Sequence, residues 1–313
     1  MTNFTIRRAT HENVNLLIGL AGGTGSGKTW SAMLLAKGIC GDKPFVVIDT
    51  ERRRASYYAD FFTFDVIDLE PPFTPDAYAK AIEFVDKSGY PAIIVDSMSH
   101  VWAGDGGVLD WQEAELDRMA GEDWKKREAV KMASWIKPKM AHKEMVQDTI
   151  LRASAHLILC FRAEPKIEMV REGGKTVIQP KQTLTGLDGW VPICEKSLPF
   201  ELTVSFLLTA DAPGMPKKIK LQEQHRAMFP LDKPINEASG RLVAEWAGGG
   251  GAKELDVSAA AINALVQCKT VQAAELVFGP AWLALRSDAD GRVKLRAAYD
   301  EKKAVLLKNS MEI

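Results

Sequence analysis

The sequence contains few cysteines, and they lie far apart. No two of them form a C-x-x-C pair, and the four in the chain are Cys40, Cys160, Cys194 and Cys268. This spacing argues against a zinc site and against a disulfide scaffold. It is typical of a protein kept in a reducing cytoplasm.

Long apolar runs and an excess of charge of one sign are also missing. No apolar run approaches the length of about 18 residues that a membrane-spanning helix needs, so we expect no membrane partner. The first residues, MTNFTIRRATHENV, lack the apolar segment of a signal peptide. The formal net charge of -1 gives no overall attraction to nucleic acid. Any DNA-binding surface would therefore be a local patch, and we expect a cytoplasmic protein.

The strongest positive signal is the stretch from Leu16 to Trp30. LLIGL predicts a buried strand, GGTGSGKT fits G-x-x-x-x-G-K-[ST] at every fixed position, and an apolar helical pattern follows through Ile39. Strand, glycine-rich loop and helix in this order are what a P-loop requires. Glycines let backbone N–H groups face phosphate oxygens, and the helix start adds free donors. The predicted nucleotide-binding residues are Gly22, Gly23, Thr24, Gly25, Ser26, Gly27, Lys28, Thr29 and Trp30.

We expect ATP and Mg²⁺ as the ligands of this loop. Lys28 would reach the outer phosphates, and the Thr29 hydroxyl would ligate Mg²⁺. GTP is less favoured, because no guanine-reading N-K-x-D motif occurs in the chain.

The segments after the loop alternate between apolar strands and helices. Buried strands are predicted at 45–49, 64–69, 92–96 and 157–161. A helix begins at Thr74-Pro75-Asp76 and runs to about Lys87. Strands that are apolar throughout and alternate with helices predict a parallel sheet covered on both faces.

Other segments interrupt this alternation. Residues 108–152 read as a charged helical insertion with breaks at Gly121 and Pro138. KIEMVREGGKTVIQ, at 166–179, reads as a β-hairpin turning at Gly173-Gly174. Further strands are predicted at 200–209 and 217–221, and an edge strand within residues 1–13.

The run of glycines at 248–251 is the clearest linker in the chain. We therefore expect an α/β ATPase domain at 1–247, a glycine-rich linker at 248–254 and a small helical C-terminal module at 255–313. The module reads as three or four short helices, with Trp282 and Tyr299 as core aromatics.

Two carboxylates follow predicted strands of the core. Asp96 comes after four apolar residues, and we expect its strand to lie beside the P-loop strand, where the carboxylate accepts from Mg²⁺-bound water. Glu51 follows the 45–49 strand. P-loop ATPases that hydrolyse quickly usually carry a carboxylate that polarises the attacking water. The alternative is that Glu51 is an ordinary surface residue.

At this point the sequence resembles a family. FVVIDTE, the FDVIDL strand and TPDAYAKAIEFVDKSGYPAIIVDS are similar in order to the bacterial RecA core. IIVDSMSHVWAGDGGVLD and FELTVSFLLT…EWAGGG resemble bacteriophage AAA-type ATP-binding proteins, which are RecA-like and commonly occur among phage recombination and replication genes. The resemblance covers roughly residues 14–247. It implies a RecA-like P-loop NTPase core in a bacterial host cytoplasm.

The resemblance also implies roles for single residues. Glu51 takes the place of the catalytic base, Asp96 that of the magnesium-binding residue, and the 157–161 strand carries a sensor at its end. The usual sensor is a polar amide, whereas here the strand ends Cys160-Phe161-Arg162. Arg162 would either contact the γ-phosphate or only cap the strand.

Many related ATPases place a Lys-x-Arg finger on a late strand, pointing into a neighbour's site. The corresponding stretch, KIKLQEQHR at 218–226, has no clean Lys-x-Arg. Lys220 and Arg226 are the substitutes we name. Assembly into a homo-oligomer is therefore possible but not indicated by a finger motif.

One local basic patch stands out, WKKREAVKMASWIKPKMAHK at 124–143. Its cations face a single acid within the segment, Glu128, and two tryptophans are interleaved. Cations neutralise phosphates and aromatic faces stack on unpaired bases. The alternative is a solvated helix with its tryptophans in the core. The candidate DNA-binding cations are Lys125, Lys126, Arg127, Lys131, Lys137, Lys139 and Lys143, and the hairpin offers Lys166, Arg171, Lys175 and Lys181.

These observations leave three interpretations open. The first is a Mg²⁺-dependent RecA-like ATPase acting on single-stranded DNA in phage recombination or replication. The second is a small-molecule or nucleoside kinase whose 108–152 insertion is a lid. The third is a nucleotide-gated annealing or loading module with little turnover. The C-terminal module would dock a partner such as a single-strand-binding protein, or would only stabilise the chain.

Overall fold

The computed structural model describes residues 14–172, 175–180, 189–248, 261–262, 264–266, 268–285 and 289–310. Backbone contacts divide the chain into two compact units, Met1–Gly248 and Gly249–Ile313. The edge strand predicted within 1–13 lies outside the described residues. So does the predicted linker, apart from Gly248.

The first unit is built on one sheet of eight strands, in the order β10-β9-β1-β5-β4-β2-β3, with β8 paired to the end of β5. A separate hairpin joins β6 to β7. The strands are β1 (Leu17–Gly22), β2 (Phe45–Asp49), β3 (Phe64–Asp68), β4 (Ala92–Asp96), β5 (His156–Pro165), β6 (Ile167–Glu172), β7 (Lys175–Pro180), β8 (Trp190–Pro192), β9 (Val204–Thr209) and β10 (Ala212–Lys220).

The predicted parallel sheet is confirmed. Strands β3, β2, β4, β5, β1 and β9 run parallel, and only β10 and β8 pair antiparallel to their neighbours. Asp96 was expected on a strand beside β1, and this is wrong, because β5 lies between β1 and β4. β3 was expected to be buried, but it ends the strand order and its side chains are partly or fully exposed.

The helices of the first unit cover both faces of this sheet. Met33, Leu35 and Val243 pack on one face, and Tyr78 and Ile82 pack on the other. The helices are α1 (Lys28–Cys40), α2 (Pro75–Lys87), α3 (His100–Ala103), α4 (Val108–Ala120), α5 (Trp124–Ser134), α6 (Ile136–Glu144), α7 (Leu198–Glu201) and α8 (Glu237–Ala247). A π-helical turn (Met145–Thr149) and 3-10 turns (Ala55–Tyr58, Ile150–Arg152, Glu223–His225) complete the unit.

The helical insertion forms as predicted, with one break misplaced. Gly121 ends α4 in the left-handed region, at φ 57°, where glycine is favoured. The second break falls at Trp135, not at Pro138. Pro138 is instead the third residue of α6, where its missing N–H would have had no partner within the helix.

Two predicted strands near the end of the first unit are shifted. The strand expected at 200–209 starts only at Val204, because Leu198–Glu201 form a helical turn. The strand expected at 217–221 is longer, beginning at Ala212 and ending at Lys220. The hairpin at 166–179 is confirmed in its pairing, and its turn at 173–174 lies outside the described residues.

The second unit is helical in the described residues. It contains α9 (Val271–Ala284) and α10 (Ala289–Ser310), and α10, at 22 residues, is not the short helix that was expected. Tyr299 is buried and Trp282 packs against the same cluster, as predicted. In the described part of the chain, no helix combines the length and apolarity needed to cross a bilayer.

The helix that follows the glycine-rich loop is fixed by close contact with α8. A Cβ added at Gly240 would overlap the carbonyl oxygen of Leu35, and one added at Gly38 would overlap that of Glu237. The two helix backbones therefore approach more closely than any side chain would permit. A salt bridge of 2.9 Å between Lys37 and Glu237 joins the same pair of helices.

We predict that Gly240→Ala lowers the free energy of unfolding by about 3 kcal/mol, because the new methyl group forces α8 away from α1. Thermal or urea unfolding measures the change. Gly279→Ala on α9 is the control, since its added Cβ would meet no atom of the described residues within 4 Å beyond its own helix backbone. A fully stable Gly240→Ala variant would show that the two helices can separate freely.

Candidate functional site

The carboxyl ends of four strands meet at one edge of the sheet. Gly22 of β1 lies opposite Arg162 of β5, and Asp96 of β4 lies opposite both Asp49 of β2 and Cys160 of β5. Ligands of open parallel sheets bind at this edge. A cavity of about 620 Å³ opens there, lined by residues 22–30 and by Glu51, Arg54, Tyr58, Asp96, Arg162, Ala163 and Ile193.

The glycine-rich loop forms the floor of this cavity. Gly25 and Gly27 have φ values of 75° and 82°, in the region that side chains seldom adopt. Buried Ser26 holds the loop together, because its Oγ donates to the Gly23 carbonyl at 2.8 Å. α1 then begins at Lys28. A glycine turn entering a helix presents backbone donors and a positive dipole end, which suit an anion such as phosphate.

Lys28 and Thr29, which were predicted to contact phosphate and Mg²⁺, lie at the start of α1, and Asp96 at the end of β4 lies beside them. Lys28 Nζ donates to the Gly23 carbonyl oxygen at 2.8 Å. Thr29 Oγ1 donates to Asp96 Oδ2 at 2.6 Å, so the structure brings the hydroxyl and the carboxylate together. Burial raises the pKa of Asp96 to about 6, although the hydrogen bond from Thr29 opposes that shift.

The pair formed by Thr29 and Asp96 fits one kind of metal site. No group of three or more His, Cys, Asp or Glu side chains able to hold a metal occurs among the described residues. Mg²⁺ does not need such a group, because it keeps several waters and is usually held by one or two protein oxygens together with substrate phosphates. One hydroxyl and one carboxylate beside a phosphate-type loop match that donor set.

Glu51 is positioned by a turn that Asp49 caps. The buried carboxylate of Asp49 accepts from the Glu51 N–H at 2.6 Å and from the Ala55 N–H at 2.8 Å. Between these two anchors, Arg52 and Arg53 adopt positive φ values of 57° and 64°. This conformation is uncommon for residues other than glycine, and it is maintained here by the two hydrogen bonds to Asp49.

The side chain of Glu51 is bound by two arginines. Its Oε1 accepts from Arg162 Nη2 at 2.6 Å, and its Oε2 accepts from Arg54 Nη1 at 2.8 Å. Burial acts to raise the pKa of Glu51, but the hydrogen bond and charge of Arg162, with the charge of Arg54, outweigh it and hold the pKa below its usual value. Glu51 is therefore not an ordinary surface residue, because its carboxylate lines the same cavity as the glycine-rich loop.

Arg162 does not end its strand, so the alternative in which it only caps the strand is wrong. β5 continues to Pro165, and the Arg162 N–H donates to Ser99 Oγ at 2.9 Å. Its guanidinium group extends away from β5 and forms a salt bridge of 2.6 Å with Glu51.

Four residues that line the cavity were not predicted from the sequence, namely Arg54, Tyr58, Ala163 and Ile193. Arg54 follows Glu51 by three positions, and Tyr58 lies in the 3-10 turn after it. Trp30 packs against Tyr58, with ring centroids 5.9 Å apart, so the cavity has an aromatic wall. The signal for Arg54 and Tyr58 was the run RRRASYY directly after Glu51.

The proposed finger residues lie elsewhere. Lys220 donates to the Phe200 carbonyl oxygen at 2.7 Å, and Arg226 pairs with Glu223 at 3.3 Å. Neither lines the 620 Å³ cavity. Within one chain, the structure therefore gives them no place at the site.

Acids of α4 pair with two cations of the basic patch, Arg127 and Lys137, although the segment itself contains the single acid Glu128. Arg127 is bound by Glu113 and Asp117. Lys137 pairs with Glu115 at 3.2 Å. Within the patch, Lys131 pairs with Glu128 at 3.4 Å, and Lys126 approaches Asp123, the residue directly before the patch, at 3.9 Å.

Two lysines of the patch instead approach tryptophan rings. Lys125 lies 5.9 Å from the ring centre of Trp124, and Lys139 lies 5.4 Å from that of Trp135. Trp124 is 68% exposed and is therefore not part of the core. Trp135 is partly buried and stacks on Trp102, with centroids 6.0 Å apart.

The structure describes the side chains of two of the four candidate cations of the hairpin, Lys166 and Arg171. Lys166 pairs with Glu164 at 3.4 Å. Arg171 is exposed on β6. Lys181, and the side chain of Lys175, lie outside the described residues.

Comparison with known proteins adds no relative: no family model matches the chain, and no curated protein matches it.

We predict that Asp49→Asn loosens the turn that carries Glu51, because an amide can accept only one of the two N–H bonds. The free energy of unfolding should fall by about 1–3 kcal/mol, and amide hydrogen exchange should accelerate at Glu51 and Ala55. Asp65→Asn, at an exposed carboxylate bonded to Tyr90, is the control. Unchanged exchange at both amides would contradict this role of Asp49.

Proposed function

We propose that the chain is a Mg²⁺-dependent ATPase with a RecA-like P-loop core, acting on single-stranded DNA in phage recombination or replication. The observation that carries the ATPase part is the convergence of Lys28, Thr29, Asp96 and Glu51 on one cavity beside a glycine-rich loop. The strand order, in which β5 separates β1 from β4, supports it, because it brings Arg162 to the same cavity.

In this proposal each residue has a distinct task. The loop N–H groups and Lys28 bind the phosphates, and Tyr58 and Trp30 offer aromatic faces for the base. Thr29 and Asp96 would hold Mg²⁺, which when bound offsets negative charge on the phosphates. Glu51 orients the attacking water once its arginine partners have moved, since a carboxylate bound by two guanidinium groups is a weak proton acceptor.

We expect Lys28→Ala to abolish ATP binding and Glu51→Gln to preserve binding while lowering the hydrolysis rate about 10²–10⁴-fold. Steady-state phosphate release and ATP titration measure the two effects. Lys37→Ala, on the same helix but at its surface contact with Glu237, is the matched control. Hydrolysis by Glu51→Gln at the wild-type rate would remove Glu51 from the mechanism.

The DNA part of the proposal is supported by an aromatic cavity at the junction of α5 and α6. A cavity of about 490 Å³ there is lined by Trp102, Met132, Trp135, Ile136, Lys139, Glu195 and Lys196. Tryptophan beside lysine is a combination that binds unpaired bases and their phosphates. Lys125 and Trp124 extend this chemistry along α5. Arg127 is not included, because α4 already binds it.

We predict that the double variant Lys125→Gln/Lys139→Gln weakens binding of an oligothymidylate about tenfold at low salt. The slope of log affinity against log salt should also decrease by about 1.4, since each lost phosphate contact on single strands contributes about 0.7. Fluorescence anisotropy measures both quantities. Lys80→Gln/Lys87→Gln on α2 removes the same charge elsewhere. Equal weakening by the two double variants would contradict a site on the insertion.

One observation favours the kinase as a second candidate. A cavity of about 710 Å³ adjoins the first and shares Glu51, Arg54 and Arg162 with it, so an acceptor molecule has a place next to the outer phosphate position. Phosphate release in the absence of any acceptor distinguishes hydrolysis from transfer.

Partner docking by the C-terminal module and assembly into a homo-oligomer remain part of the proposal for the RecA-like reading.

A further inference from the structure

The carboxylate of Glu51 lies between two guanidinium groups of its own chain. Arg54 approaches Oε2, and Arg162 approaches Oε1 through both Nε and Nη2, at 3.2 and 2.6 Å. The Glu51 side chain is 18% exposed, whereas those of Arg54 and Arg162 are 62% and 48% exposed. The carboxylate is therefore the enclosed partner, and the arginines are the partners with room to move.

Both guanidinium groups line the cavity that Lys28 and the glycine-rich loop also line. They come from independent elements: Arg54 from the turn capped by Asp49, and Arg162 from β5 opposite Gly22. Lys28, Arg54 and Arg162 thus surround the cavity with three cations. Lys220 and Arg226, the residues that could have served a neighbouring chain, have partners outside it.

Guanidinium groups bind phosphate oxygens with the same paired geometry that they use for carboxylates. A phosphate entering the cavity therefore competes with Glu51 for the two arginines. When they transfer to the phosphate, the Glu51 carboxylate loses both cations and regains its capacity to accept from water. By changing partner from Glu51 to the phosphate, the two arginines would both neutralise charge on the phosphate and leave the Glu51 carboxylate able to act as a base.

We propose that Arg54 and Arg162 are cations supplied in cis that stabilise the charge of the γ-phosphate during hydrolysis, so that a single chain holds a complete hydrolytic site. The proposal rests on the ATPase function proposed above. A water oxygen forms a bond to the γ-phosphorus while the bond from phosphorus to the bridging oxygen breaks. ADP leaves with that electron pair, and the water proton passes to Glu51 and then to solvent, giving ADP, inorganic phosphate and one proton.

The test compares Arg54→Gln and Arg162→Gln with Arg53→Gln. Arg53 is in the same turn but pairs with Asp68 at 2.9 Å and does not line the nucleotide cavity, so its variant is a matched control. Single-turnover phosphate release should fall about 10²–10³-fold or more for the first two variants, as when a charge-stabilising donor is removed. Affinity for ATP should fall severalfold, affinity for ADP should stay unchanged, and Arg53→Gln should match wild type.

A mixing experiment separates action in cis from action in trans. Lys28→Ala keeps both arginines but lacks a working nucleotide site, and Arg54→Gln has the opposite defect. If the arginines act in cis, an equal mixture stays as inactive as its components, and wild-type activity per mole does not change on dilution. Activity restored in the mixture would overturn the proposal, because it would show that one chain supplies the cation to another.

The outcomes also distinguish this proposal from the ATPase function itself. Wild-type protein that neither binds nor hydrolyses ATP would refute both. Wild-type protein that hydrolyses ATP, with Arg54→Gln and Arg162→Gln equally active, would refute only the role of the arginines. Arg162→Lys, which keeps the charge, is added in case Arg162→Gln fails to fold. A hydrolysis rate for Arg162→Lys above that of Arg162→Gln supports the proposal. Because the Arg54 side chain is 62% exposed, Arg54→Gln should fold normally and tests the role of the second arginine separately.

Discussion

Two buried carboxylates at the edge of the parallel sheet determine the geometry of the site. Asp49 and Asp96 are opposite each other on β2 and β4, and both are almost fully buried. A buried carboxylate is costly unless it is hydrogen-bonded. Asp49 meets this requirement with two backbone N–H groups of the following turn, and Asp96 with the hydroxyl of Thr29. The turn that carries Glu51 and the start of α1 are thereby attached to the same sheet edge.

Much of the core could be predicted from the sequence, because its signals are local. Four apolar residues before Asp96, and the Thr74-Pro75 start of α2, each specify an element within a few residues. The order of strands could not be predicted in the same way. β5 is as apolar as its neighbours, and nothing local indicates that it inserts between β1 and β4.

The contrast between local signals and long-range contacts also explains which functional residues could be predicted from the sequence. Lys28, Thr29 and Asp96 were predicted from motifs, and the structure brings them together. The pairing of Glu51 with Arg162 could not be predicted locally, because the two residues are more than a hundred positions apart in the chain. The neutralisation of Arg127 could not be predicted from its own segment, because the acids that bind it are on α4, outside residues 124–143. Charge balance is a property of packed neighbours rather than of a stretch of sequence.

The contact between Gly38 and Gly240 has a mechanical consequence. α8 is the last helix of the first unit and ends at Ala247, one residue before the boundary with the second unit. Any tension at that boundary is applied first to α8, whose backbone touches the backbone of α1 with no side chain between them to yield. The helix that begins with Lys28 is thus only one rigid contact away from the chain's exit point. Because packed interiors transmit strain, a displacement of α8 would pass directly to α1 without a side chain to absorb it.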